Sequence, residues 1–159
     1  MNRRHSRHRD VTRLVGGVGT FLATLFIACA PQVETTAVPE VVIGGLDYTF
    51  DVSSGIPSGP VDIVFENRGQ VRHEVVLVEL KPGADLAAMA EVAQSGGDPF
   101  SLVQQFGGVL IAEAGEHSWG RLRVELTSGT TYGLICNFQD AEGEPPHTAL
   151  GMMRTFRAE

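Results

Sequence analysis

From Val41 onward, short apolar runs alternate along the chain with clusters of glycine, serine and asparagine. Runs of this length, rich in β-branched residues and bounded by turn-forming residues, are typical of β-strands. The strands predicted in this way lie at 41–43, 48–52, 61–65, 73–80, 122–126, 132–136 and 153–158. Seven or so short strands with glycine-rich turns predict an antiparallel β-sandwich.

Residues 73–80 (His-Glu-Val-Val-Leu-Val-Glu-Leu) differ from the other runs because both faces are largely apolar. Val75 and Leu77 share the face of His73, since alternate residues of a strand point the same way. The opposite face carries valine and leucine as well, which predicts a central strand. By the same alternation Cys136 shares a face with two core residues of its own strand, Tyr132 and Leu134.

One segment interrupts the β pattern. Residues 85–94 are rich in helix formers, with their apolar residues on one stripe. Asp98-Pro99 is a favourable helix start, and Phe100, Val103 and Phe106 follow at a spacing of three before Gly107-Gly108. We therefore predict a helical insertion near 85–106, packed across one edge or end of the sandwich.

The first 28 residues have the pattern of an export signal. Five arginines precede an apolar stretch at 14–28 that is too short to span a bilayer comfortably. Ala28-Cys29 looks like a bacterial lipobox, which implies cleavage before Cys29 and lipidation of its sulfur; an ordinary cleaved signal or an uncleaved anchor is the alternative. We predict a signal peptide at 1–28, a flexible tether at 29–40 and one domain at 41–159. Such a protein is exported, and lipid-anchored on the outer side of the bacterial cytoplasmic membrane or in the periplasm.

Removing the predicted leader makes the chain strongly acidic. The leader holds five of the twelve basic and one of the nineteen acidic residues, leaving seven against eighteen, a net charge of −11. This balance disfavours nucleic acid and favours cationic partners or simple solubility. Cys29 and Cys136 are the two cysteines. With Cys29 lipidated no disulfide is possible, so Cys136 needs another role, and metal ligation is the most economical one.

Cys136, His147 and Met152 lie on one stretch between two predicted strands, and His73 is the best candidate for a second imidazole. A thiolate, two imidazoles and a weak axial thioether are the ligands of blue copper electron-transfer sites. Taken alone, Cys136 has an alternative interpretation as a small hydrophobic residue buried in a strand, which is common for a free cysteine. Met153 competes with Met152 for the axial position, but adjacent side chains of an extended segment point oppositely. We predict that His117, in a polar turn, is solvent-exposed and only a reserve ligand.

The motifs Tyr132-x-Leu-x-Cys136 and His147-x4-Met152, with Gly151 before the methionine, resemble the cupredoxin family, plastocyanin-like proteins above all. Asn67-Arg-Gly followed by His73-Glu-Val-Val-Leu resembles the first-histidine strand of that family. The resemblance implies an all-β, Greek-key β-sandwich that binds copper, as Cu(I) or Cu(II), through His73, Cys136, His147 and Met152. One departure is the spacer between Cys136 and His147, whose ten residues exceed those of compact cupredoxins.

Three functions of different classes fit these residues. The first is a membrane-tethered type 1 copper protein that exchanges electrons with a redox protein partner and is not an enzyme. The second is a copper chaperone that holds Cu(I) with the same ligands, and the third is a metal-free interaction module. A cysteine hydrolase is disfavoured, because nothing marks an oxyanion hole or an orienting acid beside Cys136 and His147. No small-molecule substrate is evident.

Overall fold

The computed structural model describes residues 37–159. Eight strands and one α-helix form within this range, and the chain also makes one turn of 3-10 helix at Pro99–Leu102. The strands are β1 (Glu40–Leu46), β2 (Thr49–Val52), β3 (Gly59–Asn67), β4 (His73–Leu80), β5 (Val103–Ala112), β6 (Leu122–Leu126), β7 (Thr131–Ile135) and β8 (Met153–Arg157), and the helix is α1 (Leu86–Gln94). The predicted signal peptide, Cys29 and most of the predicted tether lie outside the described residues.

The strands form two four-stranded sheets, in the orders β2-β1-β3-β6 and β5-β4-β7-β8. The chain crosses between the sheets after β3, β5 and β6, as in Greek-key sandwiches. All pairings are antiparallel except that of β1 with β3, which is parallel. The predicted antiparallel sandwich is therefore confirmed except at this one pair. β2 returns the chain to the starting end of β1, so β3 runs in the direction of β1.

The main core lies between the two sheets. Residues from both sheets meet there, including Ile43 and Phe65 from one and Leu77 and Leu134 from the other, each almost wholly removed from solvent. Burying a side chain of this size contributes about 1.5–3 kcal/mol. The alternation predicted from the sequence is confirmed here, because Tyr132, Leu134 and Cys136 all belong to this core.

β4 is a central strand, as predicted, with β5 on one side and β7 on the other. Val75 and Leu77 point into the main core, whereas Val78 and Leu80 point to the outer face of the sheet. Helix α1 covers that outer face, and its Met89 packs in a second cluster with Val78 and Leu80. The helix thus packs on a face of the sandwich rather than across an edge or end, because the apolar outer side of β4 needs a cover.

The helical insertion is shorter than predicted. Asp98 caps the 3-10 turn by accepting a hydrogen bond from the Phe100 backbone N–H at 2.9 Å, but Val103 is already extended and begins β5. Phe106, predicted to be helical, pairs with Val78 of β4. Pairing with a central strand outweighs an apolar spacing of three residues, since the ladder bonds satisfy the backbone over ten residues of strand.

Gly107-Gly108, expected to end a helix, lies inside β5. A Cβ at Gly107 would approach Leu77 Cδ2 to 2.8 Å, and one at Gly108 would approach Leu122 Cδ1 to 2.6 Å. These glycines therefore let β5 pass close to neighbouring side chains. Among residues 37–159 no helix is long and apolar enough to cross a membrane.

Candidate metal centre

His73 is the first residue of β4 and points into the main core at one end of the sandwich. The loop before it is tied down by the buried Asn67 side chain. Its amide nitrogen donates to the carbonyl groups of Val71 and Ala112, at 2.8 and 3.1 Å, and its amide oxygen accepts from the Gly69 N–H at 2.9 Å. Because Ala112 pairs with His73 across the sheet, these bonds fix where the imidazole enters the core.

Cys136 directly follows β7, which runs antiparallel to β4, so its thiol arrives beside the start of β4. The side chain is wholly buried, and its sulfur accepts a hydrogen bond from the Glu74 backbone N–H at 3.4 Å. Burial raises the pKa of the Cys136 thiol, and the bond from Glu74 only partly opposes this. A thiolate at this position therefore needs a nearby cation.

His147 lies in the loop between β7 and β8 and is also buried. Its backbone N–H donates to the Phe138 carbonyl at 2.8 Å, and its carbonyl accepts from the Met152 N–H at 2.8 Å. The Met152 carbonyl in turn accepts from the Cys136 N–H at 3.2 Å. These bonds close the ten-residue spacer onto itself, so that His147 returns to the thiol despite the length of the loop.

Three ligand atoms converge at this end of the sandwich: the Nδ1 atoms of His73 and His147 and the sulfur of Cys136, all within 4.8 Å of one another. The two Nδ1 atoms are 3.1 Å apart, and the sulfur lies 3.3 Å from the His147 Nδ1 and 3.9 Å from the His73 Nδ1. Their chain positions span more than seventy residues. The structure thus brings together three of the four predicted ligand residues, and their assignment as ligands stays a prediction.

The fourth residue, Met152, is wholly buried in the same core as Cys136. Met153 points the other way and lines a cavity of about 250 Å³ with Met89 of helix α1. This arrangement matches the predicted opposite orientation of the two methionines. His117 is exposed, as predicted, and lies 3.7 Å from a carboxylate oxygen of Glu66 rather than with the other histidines.

Each buried histidine contacts a carboxylate through its other ring nitrogen. The His73 Nε2 lies 3.1 Å from Asp47 Oδ1, and the His147 Nε2 lies 3.0 Å from Asp140 Oδ1. An ionised carboxylate only accepts hydrogen bonds, so we assign the proton of each neutral ring to Nε2. Both Nδ1 atoms then turn lone pairs toward the sulfur. Burial lowers the pKa of His73, which favours this neutral form.

Hydrogen bonding keeps the two carboxylates ionised. Burial raises the pKa of Asp47, but the hydrogen bonds from His73 and from two backbone N–H groups outweigh it and lower this pKa overall. The pKa of Asp140 is lowered first by the hydrogen bond from the Tyr48 hydroxyl and further by the contact with His147. Histidine ligands held by carboxylates in this way have a fixed tautomer and a more basic coordinating nitrogen.

The sequence prediction missed Asp47 and Tyr48. It placed Tyr48 in a strand, whereas Asp47-Tyr48 is the two-residue turn between β1 and β2. The sequence signal for this turn was the Gly-Gly-Leu-Asp segment before an alternating run, although nothing local shows that the turn faces the histidines. The contact of Asp140 with His147 was also not predicted from the sequence.

No protein-family model matches the sequence, and no curated protein matches it either. Solved structures do resemble the fold. Dithionite-reduced auracyanin from Roseiflexus castenholzii aligns with a TM-score of 0.50 at 22% identity, over 78% of this chain and 99% of that one. Auracyanin A, a "blue" copper protein from Chloroflexus aurantiacus, aligns with a TM-score of 0.48 at 21% identity, over 77% and 100% of the two chains. The chain therefore has the cupredoxin fold.

Proposed function

We propose that this chain is a type 1 copper protein that transfers electrons. The observation that carries the proposal is the convergence of the His73 Nδ1, the His147 Nδ1 and the buried Cys136 sulfur, all within 4.8 Å of one another. The donor set of one thiolate and two imidazoles, with the thioether of Met152 buried in the same core, fits copper better than a hard metal ion.

Bound copper would supply a one-electron couple between Cu(I) and Cu(II). The protein's own residues would hold the donor atoms in place. His73 and His147 are held by carboxylates, Cys136 by the Glu74 N–H, and all three sit in a packed sandwich. Such fixed donors limit the rearrangement that accompanies a change of charge. We propose no catalytic reaction for this centre.

The decisive experiment is a visible spectrum of the folded domain titrated with Cu(II). We expect one equivalent to bind and to give an intense thiolate-to-copper band that disappears on reduction and returns on oxidation. Binding of Cu(I) together with failure to form the band with Cu(II) would favour the copper chaperone, and no copper binding would favour a metal-free module. The burial of all three donor side chains disfavours the chaperone, because a donor that hands over copper needs access to its acceptor.

The axial role of Met152 is tested by substitution with leucine. We expect Met152→Leu to keep the visible band and to raise the reduction potential, because loss of a weak thioether donor disfavours Cu(II). A tenfold change in the ratio of Cu(II) to Cu(I) affinity would shift the potential by about 59 mV. Met153→Leu is the matched control, since Met153 lines the outer cavity and should leave the potential unchanged. Equal shifts in both variants would contradict the axial role.

We also propose that the chain is exported and lipid-anchored through Cys29, on the basis of the leader and the Ala28-Cys29 junction. Two or three acyl chains give stable anchoring, whereas one binds a membrane only marginally. Mass spectrometry of protein isolated from the membranes of its own organism should show Cys29 as the first residue, with lipid on its sulfur. Detection of Met1, or of an unmodified Cys29, would exclude the anchor.

A redox protein is the proposed partner, and a cationic surface is its expected feature. The spacer that closes over the site carries Asp140, Glu142 and Glu144 and no lysine or arginine. Opposite charge would steer such a partner toward this end of the sandwich, and the association rate would fall as salt is added.

A further inference from the structure

His147 is more enclosed than its place on a surface loop would require. Its side chain is only 1% exposed. The Asp140 carboxylate contacts the Nε2 edge of the ring at 3.0 Å, and the Tyr48 ring packs edge-on against the imidazole with centroids 5.0 Å apart. Asp140 and Tyr48 are themselves joined, because the Tyr48 hydroxyl donates to Asp140 Oδ2 at 2.6 Å. The two side chains together separate His147 from solvent.

The backbone at Tyr48 is an independent sign of a specific role. Tyr48 has a φ angle of +63°, and within residues 37–159 it is the one non-glycine residue with positive φ. Glycine or asparagine would occupy this turn position with less strain, whereas a bulky aromatic residue there is a genuine outlier. Strain of this kind persists where the surrounding structure makes use of the side chain.

We propose that Tyr48 is a positioning residue, which orients the Asp140 carboxylate so that Asp140 holds and covers His147. The inference rests on the proposed function for its meaning, since it concerns how one ligand of the copper site is held. The contacts among Tyr48, Asp140 and His147 do not depend on a metal ion, because each of them joins two side chains of this chain.

The two oxygens of Asp140 have different partners, which is why Tyr48 can act through it. Oδ1 faces the His147 Nε2, and Oδ2 accepts from the Tyr48 hydroxyl. With both oxygens held, the carboxylate cannot turn toward water, although its side chain is about one-third exposed on a loop. The long spacer between Cys136 and His147 now has a structural role, since it includes Asp140 and allows it to fold back onto the ring.

The test compares Tyr48→Phe, Asp140→Asn and the double variant with the wild-type chain. The first readout is solvent exchange of the His147 Nε2 proton, followed by nitrogen-15 NMR in the metal-free protein. The second is the reduction potential of the copper-loaded protein. Two controls match the changes: Glu142→Gln removes a charge from the same loop, and Tyr132→Phe removes a hydroxyl that bonds Thr127 away from the site.

We expect Tyr48→Phe to speed exchange of the His147 Nε2 proton at least tenfold, because the carboxylate is then free to rotate away. The reduction potential should rise, as we also expect for Asp140→Asn, since both changes weaken the negative charge held against the ligand. The double variant should match Asp140→Asn alone, because Tyr48 acts through that carboxylate. Additive effects, unchanged exchange in Tyr48→Phe, or a fall in potential would each overturn the proposal.

Tyr48→Asn separates positioning from a merely structural role. Asparagine tolerates positive φ, so this variant should fold at least as stably as Tyr48→Phe and still show rapid exchange at His147. Slow exchange in a folded Tyr48→Asn protein would contradict the proposal. The exchange readout needs no metal, so a chain that fails to bind copper would refute the proposed function while still testing the role of Tyr48.

Discussion

Replacing Cys136 with serine should abolish the intense visible band of the Cu(II)-loaded protein. The band arises from charge transfer between a thiolate and Cu(II), and a serine hydroxyl cannot supply this soft, covalent donor. The substitution is nearly isosteric, and the site is buried, so the fold should survive with the proposed ligands His73 and His147 still in place. A visible spectrum after addition of one equivalent of Cu(II) measures the effect directly.

Cys29→Ser in the full chain is the matched control, because Cys29 is the other of the two cysteines. It should leave the band at full intensity. The burial of Cys136 also predicts slow reaction with a thiol reagent until the protein is unfolded, since its thiol pKa is raised. Retention of the band in Cys136→Ser would show that a different residue binds the copper, and the proposed centre would then be wrong.

The sequence was most informative where the local pattern and the tertiary contacts agree. The largely apolar run at 73–80 became β4 with the predicted bounds, and its two apolar faces correctly placed it between other strands. The alternation of side chains along each strand put His73 and Cys136 on faces that meet in one core. Burial of both faces is a strong constraint, because a slip of one residue would turn every side chain of the strand to the wrong side.

Prediction failed where a distant strand decided the outcome. Residues 103–106 carry an apolar spacing that favours a helix, yet they pair with β4, and no local pattern reveals that partner. The carboxylates on the histidines were missed for a related reason. Asp47 lies 26 residues before His73, and the Tyr48 hydroxyl reaches Asp140 across 92 residues. Contacts of this length depend on how the two sheets align, which a single sequence does not encode in any local motif.

Replacing Gly69 with alanine should weaken copper binding, although Gly69 is not itself a proposed ligand. Gly69 is buried between Asp47 and His73, and a Cβ there would collide with Asp47 Oδ1 and lie 3.0 Å from the His73 Nε2. Because Asp47 Oδ1 is the nearest atom to this Cβ, the Asp47 carboxylate has to move away from the ring. Loss of an outer partner of a ligating histidine typically costs about 10- to 100-fold in metal affinity, and we expect a loss of that size here.

Gly120→Ala is the matched control, because a Cβ at Gly120 meets no atom within 4 Å. It should bind copper as the wild-type chain does. Asp47→Ala tests whether the effect of Gly69→Ala acts through the Asp47 carboxylate. Without that carboxylate the main collision at Gly69 is gone, so adding Gly69→Ala to Asp47→Ala should cause little further loss of copper affinity. Competition with a chelator of known copper affinity gives the fold-change for each variant. If Gly69→Ala bound copper as tightly as the wild-type chain, the Asp47–His73 contact would not support the proposed ligand. The position of His73 would then be set only by the preceding loop, which the Asn67 side chain holds through its hydrogen bonds.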